Sequence, residues 1–227
     1  MNICFILVEP AVPGNIGASA RAIKTMGFSQ LRLVNPCDHL STEAKMLAHA
    51  SGEILENAEV FAGLSAALAD LDLTIATTAK TRDARVEYLH NNSLPALIKA
   101  KGNSVENIGL VFGCEESGLS NDDIRKCDMV SSIPLKQDYP SLNLSQSVMI
   151  YAYTMADLPI AGKGGESHTS SPGEFRAMMN KTKETLQKLE IDRNPALYNR
   201  ILERLALLKE DDIHLLLSVL GRLDHKI

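Results

Sequence analysis

Five short apolar runs, Cys4–Val8, Leu31–Val34, Leu73–Thr77, Ile108–Phe112 and Met129–Ile133, are separated by stretches with helical apolar spacing. Each run has the length of one strand. Near-continuous apolar character, with no polar residue at every second position, marks strands buried on both faces. Helical patterns lie between them near Gly14–Met26, Thr42–Ala48, Leu64–Leu71, Leu94–Lys101, Ser120–Lys126 and Asn143–Ala156. Short strands alternating with helices imply an α/β fold: a mostly parallel sheet covered on both sides. No internal repeat interrupts the pattern.

The alternation occupies residues 1–160. Residues 161–173, AGKGGESHTSSPG, are rich in Gly and Ser and read as a flexible linker. Residues 174–227 form a helical extension. Phe175, Met179, Thr182, Leu186 and Leu189 make one stripe. Asn194-Pro195 is a cap followed by Pro at the first helical position, opening a helix striped by Leu197, Ile201, Leu205 and Leu208. Asp211 and Asp212 start a third, with Ile213, Leu216, Leu217 and Leu220. Three short amphipathic helices bury little alone. They should pack on the body or on another subunit, and docking of a substrate is the competing reading.

Several function classes drop out. The apolar runs fall short of the roughly 18 residues of a membrane span, so no membrane role is expected. The start, MNICFILVEP, lacks a basic region and is cut by Glu9, so it reads as a first strand and not a signal peptide. Cys4, Cys37, Cys114 and Cys127 show no CxxC spacing, and six scattered histidines offer no metal pattern. No metal is expected, and a reducing cytoplasm is the natural compartment. There is no GxGxxG after the first strand and no GxSxG, and Gly162-Lys163 lacks the rest of a P-loop. Net charge is −5; the extension from Glu174 carries 10 basic and 9 acidic residues, leaving 13 and 19, or −6, for the body. A nucleic-acid partner must therefore meet a local basic patch.

Four stretches carry candidate chemistry. After the first strand comes PGNIGASAR, residues 13–21, where Asn15 can cap the helix and Ile16, Ala20 and Ile23 form its buried face. Side chains lean toward a helix N-terminus, so Arg21 can reach back over the bare Gly17 toward Asn15, an oxyanion-binding arrangement. A strand ending in Gly113 leads into Glu115 and Gly118; Gly113 would let a ligand approach the backbone. Glu115 at a strand's end suggests a cation or an ordered loop as its partner. Thr77–Arg85 holds Lys80, Arg82 and Arg85, the densest positive charge of the body and its best candidate for RNA backbone contact, with a solvated loop as the alternative. Lastly, Met129–Thr154 runs from a strand through a polar loop into a helix. Asn143 sits at the N-cap position there, with Ser141 two residues before it.

Taken together, N-x-G-x-x-x-R at 15–21, F-G-x-E-x-x-G-L at 112–119 and I-P…Y-P-S-L-N-L at 133–144 resemble, in order and spacing, the three motifs of the SpoU/TrmH branch of the SPOUT RNA methyltransferases. The resemblance covers roughly residues 2–157. Within the branch it is nearest the TrmJ and LasT-like sequences, through R-A-I-K-T-M-G at 21–27, Leu33-Val34-Asn35-Pro36 and the helical extension. Cys114 stands where TrmJ-like sequences commonly carry a basic residue.

The resemblance implies S-adenosyl-L-methionine as methyl donor and a ribose 2′-hydroxyl of RNA as acceptor, most naturally a tRNA pyrimidine at position 32 of the anticodon loop. Another tRNA position, rRNA, or a non-catalytic RNA-binding role are the alternatives. It further implies a deep trefoil knot in the C-terminal part of the α/β domain, and a homodimer whose interface includes the helix after Asn143. Position by position, the cofactor would meet Thr77, Thr78, Ala79, Gly113, Ile133, Ser141, Leu142 and Asn143. Arg21 matches the catalytic arginine, with Asn15, Glu115 and Asn143 in support, and Arg21, Lys24, Lys80, Arg82 and Arg85 are the candidates for RNA contact.

Overall fold

A computed structural model describes residues 1–79, 87–136, 142–159 and 173–223. Lys80, Arg82, Arg85, Ser141 and residues 161–172 of the expected linker lie outside the described residues. In chain order the elements begin β1 (Asn2–Val8), α1 (Pro13–Thr25), β2 (Gln30–Val34), α2 (Thr42–Ala48), α3 (Gly52–Glu56), β3 (Glu59–Phe61) and α4 (Leu64–Ala67). They continue with β4 (Leu73–Thr78), β5 (Tyr88–His90), α5 (Leu94–Ala100), β6 (Asn107–Phe112), α6 (Asn121–Lys126), β7 (Met129–Ser132) and α7 (Leu144–Met155). The extension adds α8 (Glu174–Lys188), α9 (Pro195–Ala206) and α10 (Glu210–Leu223).

The seven strands form one sheet in the order β3-β2-β1-β6-β4-β7-β5, and every described pairing is parallel. The uniformly apolar strands are explained by what covers them. On β1, Ile3, Phe5 and Leu7 point into a core shared with α1, α5, α7 and the extension. Cys4, Ile6 and Val8 point into a smaller core under α4 that also takes Leu119. Both faces are thus dry, as the continuous patterning requires.

The extension is no separate body. Phe175, Met178, Met179, Ala206, Ile213 and Leu220 join the main core. Of the two placements open from sequence, packing on the body of the same chain is the one observed. Its polar attachments lie where the central strands begin. Arg176 pairs with Asp128 at 2.7 Å, and the Gly173 N–H donates to Asp72 at 2.8 Å. Lys101, fully buried, donates to the carbonyls of Ala206 and Leu208 at 2.7 and 3.0 Å and lies 4.2 Å from the Phe175 ring centre. A cation at the end of α9 satisfies carbonyls that the helix itself leaves without partners. Leu189 of the expected stripe is instead 50% exposed, because α8 ends one residue before it.

Candidate active site

Parallel strands all end on one side, and residues at the ends of β4, β6 and β7 there surround an open cleft of about 840 Å³, its mouth included. Thr77, Thr78 and Ala79 supply one wall, Gly113 and the turn behind it a second, and Ile133 with Leu142 a third. Six residues expected at a cofactor site from separate parts of the sequence are therefore neighbours in space. Position outside the carboxyl ends of parallel strands is where open α/β sheets take ligands.

Two of these residues also make contacts within the chain. Gly113 lines the cleft, and a Cβ there would also collide with the Gly118 carbon and the Leu119 nitrogen. That turn holds Gly118 at φ +70°. Thr77 turns its hydroxyl away to the Val111 carbonyl, 2.9 Å, leaving its backbone at the cleft.

Beside the cleft, Asn15, Glu115 and Asn143 form one hydrogen-bonded chain. The Asn143 amide donates to Asn15 at 2.9 Å, and the Asn15 amide donates to Glu115 at 2.8 Å. Glu115 also accepts from the N–H groups of Ala11 at 3.0 Å and Val12 at 3.3 Å. Partial burial pushes the Glu115 carboxyl up, but these donors outweigh it and hold the group below the usual carboxylate range. Asn15 does not cap α1. Val12 occupies the N-cap without a side-chain bond, and the Glu115 carboxylate from the β6 loop holds the N–H groups of Ala11 and Val12 just ahead of the helix. Asn143 does cap α7: its side chain accepts from the Ser145 N–H at 2.9 Å, and Gln146 accepts from the Asn143 N–H at 3.3 Å.

Arg21 is exposed in a mostly apolar groove between α1 and α7, with Ala18, Thr25, Leu142, Gln146 and Met149. Leu142 lines the groove and the cleft alike, and on the first turn of α7 Leu144 and Ser147 face the cleft while Ser145 and Gln146 face the groove, so this turn divides Arg21 from the cofactor side. The bare Gly17 does not serve Arg21: a Cβ there would lie 2.1 Å from the Ala44 carbonyl oxygen. The glycine lets α2 pack on α1. Lys24, a candidate for RNA contact, is tied to Glu53 at 3.2 Å and to the Ala50 carbonyl, which turns it toward α3.

Leu119, Leu135, Leu144, Ser147 and Tyr151 also form the cleft wall; Leu119 and Leu144 close two of the motifs, whereas Leu135, Ser147 and Tyr151 are not among the expected site residues. On α7, Leu144, Ser147 and Tyr151 are spaced i, i+3, i+7, a helical face visible in the sequence once α7 is known to flank the site. Cys114 and Glu116 also line the cleft; bonds to Ser117 lead in lowering the Cys114 thiol below its ordinary value. Apolar side chains facing backbone edges, with carboxylates at one side, suit a flat heteroaromatic ligand carrying a cation. Among the described residues no group of His, Cys, Asp and Glu is arranged to hold a metal, and no helix is long and apolar enough to cross a membrane.

Comparison with known proteins agrees with this geometry. Residues 2–153 match the SpoU rRNA Methylase family, and residues 172–227 match the C-terminal domain of the tRNA/rRNA methyltransferase LasT. The chain belongs to the SpoU methylase family. It is 39% identical to a protein of Escherichia coli named an uncharacterized tRNA/rRNA methyltransferase LasT, covering 100% of this chain and 97% of that one. It is 38% identical to the tRNA (cytidine-2′-O-)-methyltransferase TrmJ of Methanocaldococcus jannaschii over 71% of this chain and 70% of that protein. Among solved structures, TrmJ from Z. mobilis superposes with a TM-score of 0.68 at 28% identity, covering 99% of this chain and 100% of that one. The fold alone is shared with AviRb from Streptomyces viridochromogenes, solved in complex with AdoMet, at a TM-score of 0.53 and 17% identity over 68% of this chain and 59% of that one.

Proposed function

We propose that this chain methylates a ribose 2′-hydroxyl of tRNA, with S-adenosylmethionine as donor, at an anticodon-loop pyrimidine as in TrmJ. One observation carries the reading: in a member of the SpoU family, three motifs far apart in sequence close around one cleft, with Arg21 across the first turn of α7. TrmJ relatives, named for tRNA 2′-O-methylation, support the acceptor. The name of the E. coli relative includes rRNA, which makes an rRNA acceptor the second reading.

The cofactor would lie against Thr78, Ala79, Gly113, Leu119, Ile133 and Leu142, and it supplies a methyl group activated by a sulfonium. The transfer needs no metal. It needs the acceptor oxygen held in line and relieved of its proton. A guanidinium is a strong oxyanion partner and a poor base, so Arg21 acts best by holding a neighbouring phosphate and the developing 2′-alkoxide, the proton leaving to phosphate or water. The Asn143–Asn15–Glu115 chain fixes the starts of α7 and α1, the two helices that flank Arg21.

A homodimer through the α1–α7 groove fits its apolar lining. A trefoil knot fits the strand order, in which β7 lies between β4 and β5 and so parts two strands adjacent in sequence. Four free cysteines suit the cytoplasm. The test is a map of 2′-O-methyl sites in RNA from a strain lacking the gene, with rescue by wild type and by Arg21→Ala. One site should vanish and return only with wild type. Unchanged maps on every tRNA and rRNA would refute the proposal.

A further inference from the structure

The inner face of α7 is held mainly by Leu144, Val148, Ala152 and Met155, whose apolar contacts fix little by way of direction. Tyr151 differs. It is 1% exposed, and its hydroxyl donates to the hydroxyl of Ser131 on β7, itself wholly buried, at 3.0 Å. Its ring meets Phe112 edge-on, with centres 5.5 Å apart, and both rings reach the cleft. Burial pushes the phenol up despite the Ser131 bond, so the group stays a neutral donor. One turn on, Thr154 accepts from Asn91 at 3.0 Å, a second directional tie on the same helix.

Between Ser131 and Tyr151 the chain carries Ile133, Leu135 and Leu142, three residues of the cleft wall. We infer that Tyr151 is a positioning residue of the cofactor cleft: its buried bond to Ser131 sets α7 in register against β7 and so places Ile133 and Leu142, the wall residues nearest each element. A buried hydroxyl pair keeps its bond only over a narrow range of separation, whereas aliphatic packing tolerates small slides. The inference rests on the reading of the cleft as a S-adenosylmethionine site.

Calorimetric titration with S-adenosylhomocysteine tests it on wild type, Tyr151→Phe, Ser131→Ala and the double variant. Ile98→Val, in the same core but away from the cleft, serves as a control for lost stability. Each single variant should bind about fivefold more weakly, the equivalent of one net intramolecular hydrogen bond. The double variant should be no weaker than either single one, and Ile98→Val should bind as wild type. Wild-type affinity in both single variants, losses that multiply in the double variant, or an equal loss in Ile98→Val would overturn the inference. No binding by wild type would instead remove the cofactor reading itself, and the inference with it.

Discussion

The two ends of the central strands treat polar groups in opposite ways. Where β4, β6 and β7 begin, polar groups close on one another. Asp72 accepts from the N–H groups of Glu106 and Asn107 and from Gly173. Asp128 accepts from Thr74 and pairs with Arg176, and Lys101 is buried against two carbonyls. Where the same strands end, the polar residues line a cleft or brace the helices beside it. Charge buried among internal partners holds the extension in place, whereas backbone edges around open space serve a ligand. The two ends should therefore fail separately.

The largest expected effect breaks the extension end alone. Arg176→Met leaves the Asp128 carboxylate, 3% exposed, without its cation. Loss of one partner of a buried pair costs about 3 kcal/mol or more. Denaturant unfolding should show that loss, while the affinity for S-adenosylhomocysteine of the folded fraction stays unchanged. Gly113→Ala should do the reverse. Its Cβ would collide with backbone at Gly118 and Leu119, costing about 2 kcal/mol as the turn shifts, and ligand affinity should fall more than tenfold. Asn143→Ala removes a helix cap worth about 1 kcal/mol and the link to Asn15, so turnover should fall further than stability does.

The smallest effects near neutral pH are two proton linkages with separate windows. At the cleft end, the Glu115 carboxyl is lower in the folded chain than its ordinary 4.5. Its contribution is present above that value and is lost as pH falls through the folded one, so thermal midpoints of wild type and Glu115→Gln should converge in acid. At the extension end, burial lowers Lys101 from 10.5 to about 8, with Asp128 partly opposing. The unfolded chain then holds that proton more tightly, and wild type should gain stability over Lys101→Met as pH rises from about 8 to 10.5.

What the sequence made legible follows the same division. Five central strands and the helices around them were readable because burial on two faces leaves an uninterrupted apolar run. The three-residue edge strands β3 and β5 were not, since Glu59–Phe61 and Tyr88–His90 are too short and too exposed to show a period. The expected helix over Leu64–Leu71 shortens to Leu64–Ala67 as the chain turns toward β4. The residues meeting at the cleft were legible as motifs, but their individual tasks were not. Gly17 and Gly113 each sit against protein backbone, at Ala44 and at the Gly118–Leu119 turn, and no neighbouring residue in the sequence announces that approach. Asn15 bonds sideways to Glu115 because a carboxylate 100 positions away reaches it. Such contacts depend on where distant loops arrive, which local spacing does not encode.

The most direct test of the central claim is transfer of a labelled methyl group from S-adenosylmethionine to tRNA transcripts, with the product nucleotide mapped, for wild type, Arg21→Ala and Arg176→Met. Wild type and folded Arg176→Met should both place a 2′-O-methyl group on an anticodon-loop pyrimidine, and Arg21→Ala should place almost none. No incorporation by wild type into tRNA or rRNA, or full incorporation by Arg21→Ala, would contradict the assignment of the cleft and its neighbouring arginine to ribose methylation.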